Sequence, residues 1–202
     1  MRIEGTYAGC GNLSIIFRLR DGNCVKVYRW FVRPDVAKKE YDIFQELKGR
    51  GIDVPEPREI LEVELSSTQL EQIDNDELKE EFTKDGKTFL ALRREFIEGR
   101  LMGKSWFGSR DIWERFLELN EAIFQVGYTP YDFIPHNYIV TSNGRVYIID
   151  ADKFIKLNPE IIATERRVML KVPNTHFGRA WFDVKRRCLE FTINSIFGKN
   201  PE

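Results

Sequence analysis

The chain of 202 residues is poor in the side chains that most site chemistries draw on. It has two histidines, His136 and His176, so a Ser-His-Asp triad or a histidine-ligated metal has almost nothing to work with. Its three cysteines, Cys10, Cys24 and Cys188, are odd in number and widely spaced, which is neither a disulfide framework nor a zinc site and reads as free thiols. An excess of one charge is missing too. Lys and Arg total 31 against 32 Asp and Glu, a net charge of -1. That excludes the dense basic footprint of a general nucleic-acid coat and leaves room only for a local basic groove. No apolar run approaches the roughly 18 residues a membrane span needs. Residues 1–12 lack a basic head followed by an apolar core, so no secretory signal is visible. The expectation is a soluble, cytoplasmic protein without a membrane span.

What is present is a core. Hydrophobic residues make up 42% and aromatics 13%, with 15 Phe and 4 Trp, which excludes disorder. The length suits one large domain or two small lobes. Ile15–Leu19 and Cys24–Tyr28 read as two strands joined by the turn residues Asp21, Gly22 and Asn23, with a third strand over Ile3–Tyr7 and Gly5, Gly9 and Gly11 at or after its end. From Pro34 the spacing of Val36, Tyr41, Phe44 and Leu47 predicts a helix that stops at Gly49 or Gly51. A strand over Arg58–Leu65 follows, then an acidic, aperiodic stretch, 62–86, read as a partly helical surface insertion. A turn at Asp85-Gly86 opens a long strand-like arm up to Gly99. Beyond a boundary near Gly99–Gly103 the pattern becomes helical, with Ile112, Phe116, Leu119, Ile123 and Val126 on one face and Gly127 as the stop. A loop over 128–137 leads into a hairpin, Tyr138–Val140 and Arg145–Asp150, and Phe177–Phe197 reads as a terminal amphipathic helix.

Four features carry chemistry by their order. Gly9 and Gly11 lie between two strands, where glycine lets backbone N–H groups approach a polyphosphate; taken alone they are ordinary turn glycines. Lys26 sits in the middle of an apolar strand and Glu40 on the next helix; such a pair holds an ammonium toward phosphate oxygens, whereas Lys38, Lys39 and Glu40 alone would be a solvated helix face. Asp132 and Asn137 form a D-x-x-x-x-N on the loop after the second helix. Asp150 follows the apolar Ile148 and Ile149, where a solvated carboxylate is not expected. An Asp and an Asn on neighbouring loops are an oxygen-donor pair for Mg²⁺ with a nucleotide, and Asp132 can accept or orient the proton of a hydroxyl nucleophile.

That order, glycine hairpin, strand Lys, helix Glu, hinge, D-x-x-x-x-N and then Ile-Ile-Asp, resembles the protein-kinase-like superfamily. The departures resemble its small atypical members: RIO-type kinases, lipopolysaccharide-core kinases, and aminoglycoside or choline phosphotransferases. The resemblance covers most of residues 3–155, with Arg94–Arg100 similar to the hinge. It implies an α+β, two-lobed fold: a β-rich lobe over 1–98, built as a five-stranded antiparallel sheet plus one helix, and a minimal α-helical lobe over 99–202. It implies ATP and Mg²⁺ as cofactors and a hydroxyl-bearing acceptor, with no nucleic acid as partner. Carried over to this sequence, Lys26 would hold the α- and β-phosphates and Glu40 would hold Lys26. Asp132 would be the catalytic carboxylate, and Asn137 and Asp150 would bind Mg²⁺. Cys24, Glu95 and Ile97 would border the adenine. The chain departs from the pattern at Ser14, where a third glycine is usual, and at Pro130-Tyr131 before Asp132, where His and Arg or Gly are common. It departs again at Ala151-Asp152 after Asp150. His136 and Tyr131 read as packing residues and Asp152 as a surface carboxylate. The implied activity is transfer of the ATP γ-phosphate to a hydroxyl, in the manner of a serine/threonine kinase. A small-molecule kinase and an inactive pseudokinase module remain as alternatives. The basic run Arg166-Arg167 to Lys171 hints at an anionic acceptor.

Overall fold

The computed structural model describes residues 1–83, 88–102, 109–130 and 135–158. The Asp85-Gly86 turn, Gly103, Tyr131, Asp132, His176, Cys188, the basic run at 166–171 and the expected terminal helix lie outside the described residues. The fold is mixed α and β, with a mostly antiparallel main sheet. Contacts divide the chain into two compact units. The first takes Met1–Gly49 and Val54–Glu98; the second takes Arg50–Asp53 and the chain from Gly99 on. Among the described residues no helix is long and apolar enough to cross a membrane.

The first unit is a five-stranded antiparallel sheet in the order β1-β2-β3-β5-β4. Its strands are β1 (Gly5–Cys10), β2 (Ser14–Leu19), β3 (Asn23–Tyr28), β4 (Pro57–Val63) and β5 (Phe89–Glu95). The first strand starts at Gly5 and runs further than the sequence suggests, so Gly9 lies within it rather than beyond it. The reason is a bulge: Tyr7 pairs with Phe17 and Gly9 with Ile16, leaving Ala8 as the extra residue. Gly9 takes φ +142, which only glycine adopts without strain.

Helix α1 (Pro34–Gly49) packs on one face of this sheet. Its buried stripe is Ala37, Glu40, Ile43, Phe44 and Leu47, rotated from the expected Val36–Tyr41 edge, and it contains a carboxylate. The other face is covered by the stretch expected to be a surface insertion. Its two short helices, α2 (Ser67–Glu71) and α3 (Asp76–Phe82), and the segment joining them bury Ile73, Leu78 and Phe82 against Ile15, Phe17, Val25, Val27 and Phe89. Helices of one or two turns show too few repeats to register as a period, and Leu78 and Phe82 are an i,i+4 pair hidden among acidic neighbours. A capping box at Ser66 and Gln69 starts α2, and the Asn75 side chain caps α3.

The second unit contains β6 (Arg100–Leu101), α4 (Arg110–Gln125), β7 (Tyr128–Pro130), a 3-10 turn at Pro135–Asn137, β8 (Tyr138–Val140), β9 (Val146–Ile148) and β10 (Phe154–Lys156). Strands β6, β8 and β9 form one small sheet, and β7 pairs with β10. A Cβ at Gly99 would lie 2.5 Å from the Ile139 side chain and from the Val140 carbonyl oxygen, so only glycine lets the chain enter β6 this close to β8. On α4 the expected apolar positions are buried except Val126, which caps the helix end, and Asn120 is buried among them.

Candidate functional site

Strand β3 lies between two hydrogen-bonded neighbours and is buried on both faces. Its residues alternate: Cys24, Lys26 and Tyr28 point to the α1 side, Val25 and Val27 to the α2–α3 side. A lysine there is withdrawn from bulk water, and Lys26 is 2% exposed. Its Nζ lies 2.7 Å from Glu40 Oε2, and Glu40 is 0% exposed. The Tyr28 hydroxyl donates to the same oxygen at 2.7 Å. On the other side of the carboxylate, the buried Arg94 of β5 brings a guanidinium nitrogen to 3.8 Å from Oε1, an ion-pair distance beyond hydrogen-bond range. Arg94 also stands over the Phe44 ring of α1 at 5.3 Å. One carboxylate is thus held by a lysine, a tyrosine and an arginine from two strands.

Cys24 is next to Lys26 on this face. Its thiol donates weakly to the Glu95 carbonyl at 3.7 Å. Burial pushes that thiol up, and the nearby Arg94 offsets part of the effect. Glu95 uses its carboxylate elsewhere: Lys48 Nζ lies 3.3 Å away and the Glu56 N–H donates to it at 3.1 Å, tying the end of α1 and the entry to β4 onto β5. Ile97 is buried, and the Phe96 N–H donates to the Gly22 carbonyl at 3.0 Å, so the chain after β5 stays fastened to the β2–β3 turn. The glycine hairpin closes with the Gly11 N–H donating to Ser14 at 2.8 Å, and Ser14 is buried.

In the second unit the hairpin brings Asn137 and Asp150 to one end. Tyr138 pairs with Ile148, and the Ile149 N–H donates to the Asn137 carbonyl at 2.8 Å. Asp150 Oδ1 accepts the Asp152 N–H at 3.2 Å, which fixes the turn after the hairpin. The hairpin is fastened to α4 by a buried pair: the Tyr138 hydroxyl donates to Asn120 Oδ1 at 2.8 Å, and the Asn120 amide donates to the Phe116 carbonyl at 2.7 Å. An amide and a carboxylate are hard oxygen donors and suit Mg²⁺. His136 is exposed, and Pro130 pairs with Phe154 in β10.

The structure therefore brings Lys26 to Glu40, Cys24 to Glu95, and Asn137 to the Asp150 end of one hairpin. Sequence reasoning missed Tyr28, although strict alternation from Lys26 puts it on the same face. It also missed Arg94 and Asn120, whose roles depend on strand pairing and helix packing that no local pattern carries. No protein-family model matches this chain, and no curated protein matches it.

Proposed function

We propose that the chain is an ATP- and Mg²⁺-dependent phosphotransferase with a two-lobed protein-kinase-like fold, moving the γ-phosphoryl group of ATP to a hydroxyl. The observation that carries this reading is the Lys26–Glu40 pair, 2.7 Å apart and buried in the sheet–helix layer. A buried ion pair is often no more stable than apolar packing of the same volume, so stability alone is a poor reason to keep one. Holding a lysine ready for phosphate oxygens is a good reason.

Lys26 binds the α- and β-phosphates and Glu40 orients it. Asn137 and Asp150 would hold Mg²⁺, which neutralises phosphate charge when bound. Asp132 accepts the proton of the acceptor hydroxyl as its oxygen bonds to the γ-phosphorus and the bond to the bridging oxygen breaks, releasing ADP. Catalysis is mostly positioning and charge neutralisation. The hydroxyl belongs to a protein serine or threonine in the preferred form of this reading.

The test is a thermal shift with MgATP followed by a γ-phosphate transfer assay, with the protein itself included as acceptor and phosphorylated residues located by mass spectrometry. Binding with transfer supports the reading, and Asp132→Ala and Asp150→Ala should each lower transfer by about a hundredfold or more with the fold intact. Binding without transfer to any acceptor makes the chain an interaction module. No binding overturns the reading.

A further inference from the structure

Among the described residues strand β1 lies at the edge of its sheet and pairs only with β2, so half of its backbone groups face outward. At Tyr7 that edge is taken up by the segment joining α2 to α3. The Tyr7 N–H donates to Gln72 Oε1 at 2.9 Å, and the Tyr7 hydroxyl donates to Asp74 Oδ1 at 2.7 Å. Between those two residues Ile73 is buried in the core below the sheet. The segment is itself fixed: the Ile73 N–H donates back to Leu70 at 3.2 Å, and Asn75 caps α3. Tyr7 also packs edge-on against Phe17, ring centroids 6.1 Å apart. Burial, with the neighbouring Cys10 and Asp74, raises the phenol above its ordinary value, which keeps it a donor through the neutral range.

Two residues beyond Tyr7 comes Gly9, and then the hairpin tip. Glycine has no side chain to hold it and loses the most conformational freedom on ordering. A phosphate-binding glycine hairpin gains affinity when its flanking strand is fixed before the ligand arrives. We propose that Tyr7 and Asp74 are positioning residues for the nucleotide: the α2–α3 insertion clamps β1 through them and so sets the glycine hairpin for phosphate. The proposal rests on the phosphotransferase reading above. It gives the insertion a role that its acidic composition does not suggest, since one of its carboxylates is spent on a tyrosine of the hairpin strand.

The test compares the parent with Tyr7→Phe, Asp74→Ala and Asp74→Asn. Asparagine still accepts the phenol hydrogen bond, so Asp74→Asn should behave as the parent does. Tyr7→Phe and Asp74→Ala should raise the KM for MgATP about threefold to tenfold, the range one hydrogen bond spans, with kcat at saturation unchanged. Hydrogen exchange should quicken at the amides of residues 9–13 and stay unchanged across β3. A general loss of stability would instead quicken exchange across the sheet and lower kcat as well. Parent-like KM and hairpin exchange in Tyr7→Phe overturn the clamp alone. A parent that binds no MgATP overturns the underlying reading, and the clamp's role with it.

Discussion

Lys26 Nζ and Glu40 Oε2 are 2.7 Å apart at 2% and 0% exposure, and the Tyr28 hydroxyl meets the same oxygen. This pair joins the central strand of the sheet to the helix packed on it. Removing one partner leaves a charge buried with much less compensation. Lys26→Met and Glu40→Leu should therefore each lower stability by about 3 kcal/mol. The double variant Lys26→Met/Glu40→Leu should lose less than the sum of the two, with a residual cost because Arg94 and Tyr28 lose the same carboxylate. Urea unfolding of all three measures this, and additive losses in the double variant would contradict it.

The second unit has its own buried polar contact, Tyr138 with Asn120 at 2.8 Å. Tyr138→Phe keeps the ring against Phe116 and removes only the hydroxyl, so the Asn120 amide oxygen loses its donor out of reach of water. The expected cost is about 1–3 kcal/mol in chemical unfolding. A variant as stable as the parent would show that the contact contributes nothing.

Asp21 predicts an acid-sensitive step. Hydrogen bonds to Asn23, with the Arg93 guanidinium beside it, hold its carboxyl down to about 2 from 3.8. A carboxylate depressed in the folded state adds stability above its unfolded value and loses it as the pH falls through the folded one. The contribution is therefore complete above about pH 4 and gone by about pH 2. In thermal melts across that window, the gap between the parent and Asp21→Asn should be widest above pH 4 and close toward pH 2. A gap that does not change with pH would contradict this.

The thiols should react unequally. Cys10 is exposed on the hairpin strand; Cys24 is buried beside Lys26 with its thiol pushed up. The thiolate is the nucleophile, so iodoacetamide at neutral pH should label Cys10 quickly and Cys24 only on unfolding, read by peptide mass spectrometry. Equal rates at the two would mean that β3 opens readily.

Much of the first unit was legible because its signals are local. The Asp21-Gly22-Asn23 turn marks the β2–β3 hairpin, Pro34 marks the start of α1, and Gly49, the first of the two stops the sequence offers, is its end. On the helix face Phe44 and Leu47 follow from apolar spacing, while Glu40 joins the buried stripe through Lys26 and Arg94 on other strands, which no apolar period registers. Helices α2 and α3 went unread as core elements because their apolar residues are few and spaced among acids. Gly9 was placed in a loop because a one-residue bulge leaves no mark in composition. Asn120 hid in an amphipathic stripe, where only its partner Tyr138 explains it.

The most direct measurement is the affinity for MgATP, by titration calorimetry, of the parent and of Lys26→Met/Glu40→Leu. The parent should bind, and the double variant, still folded, should bind about tenfold or more weakly for the loss of a charge-assisted contact to phosphate. Equal affinity in the two, or no binding by the parent, would contradict the claim that this buried pair exists to hold a nucleotide.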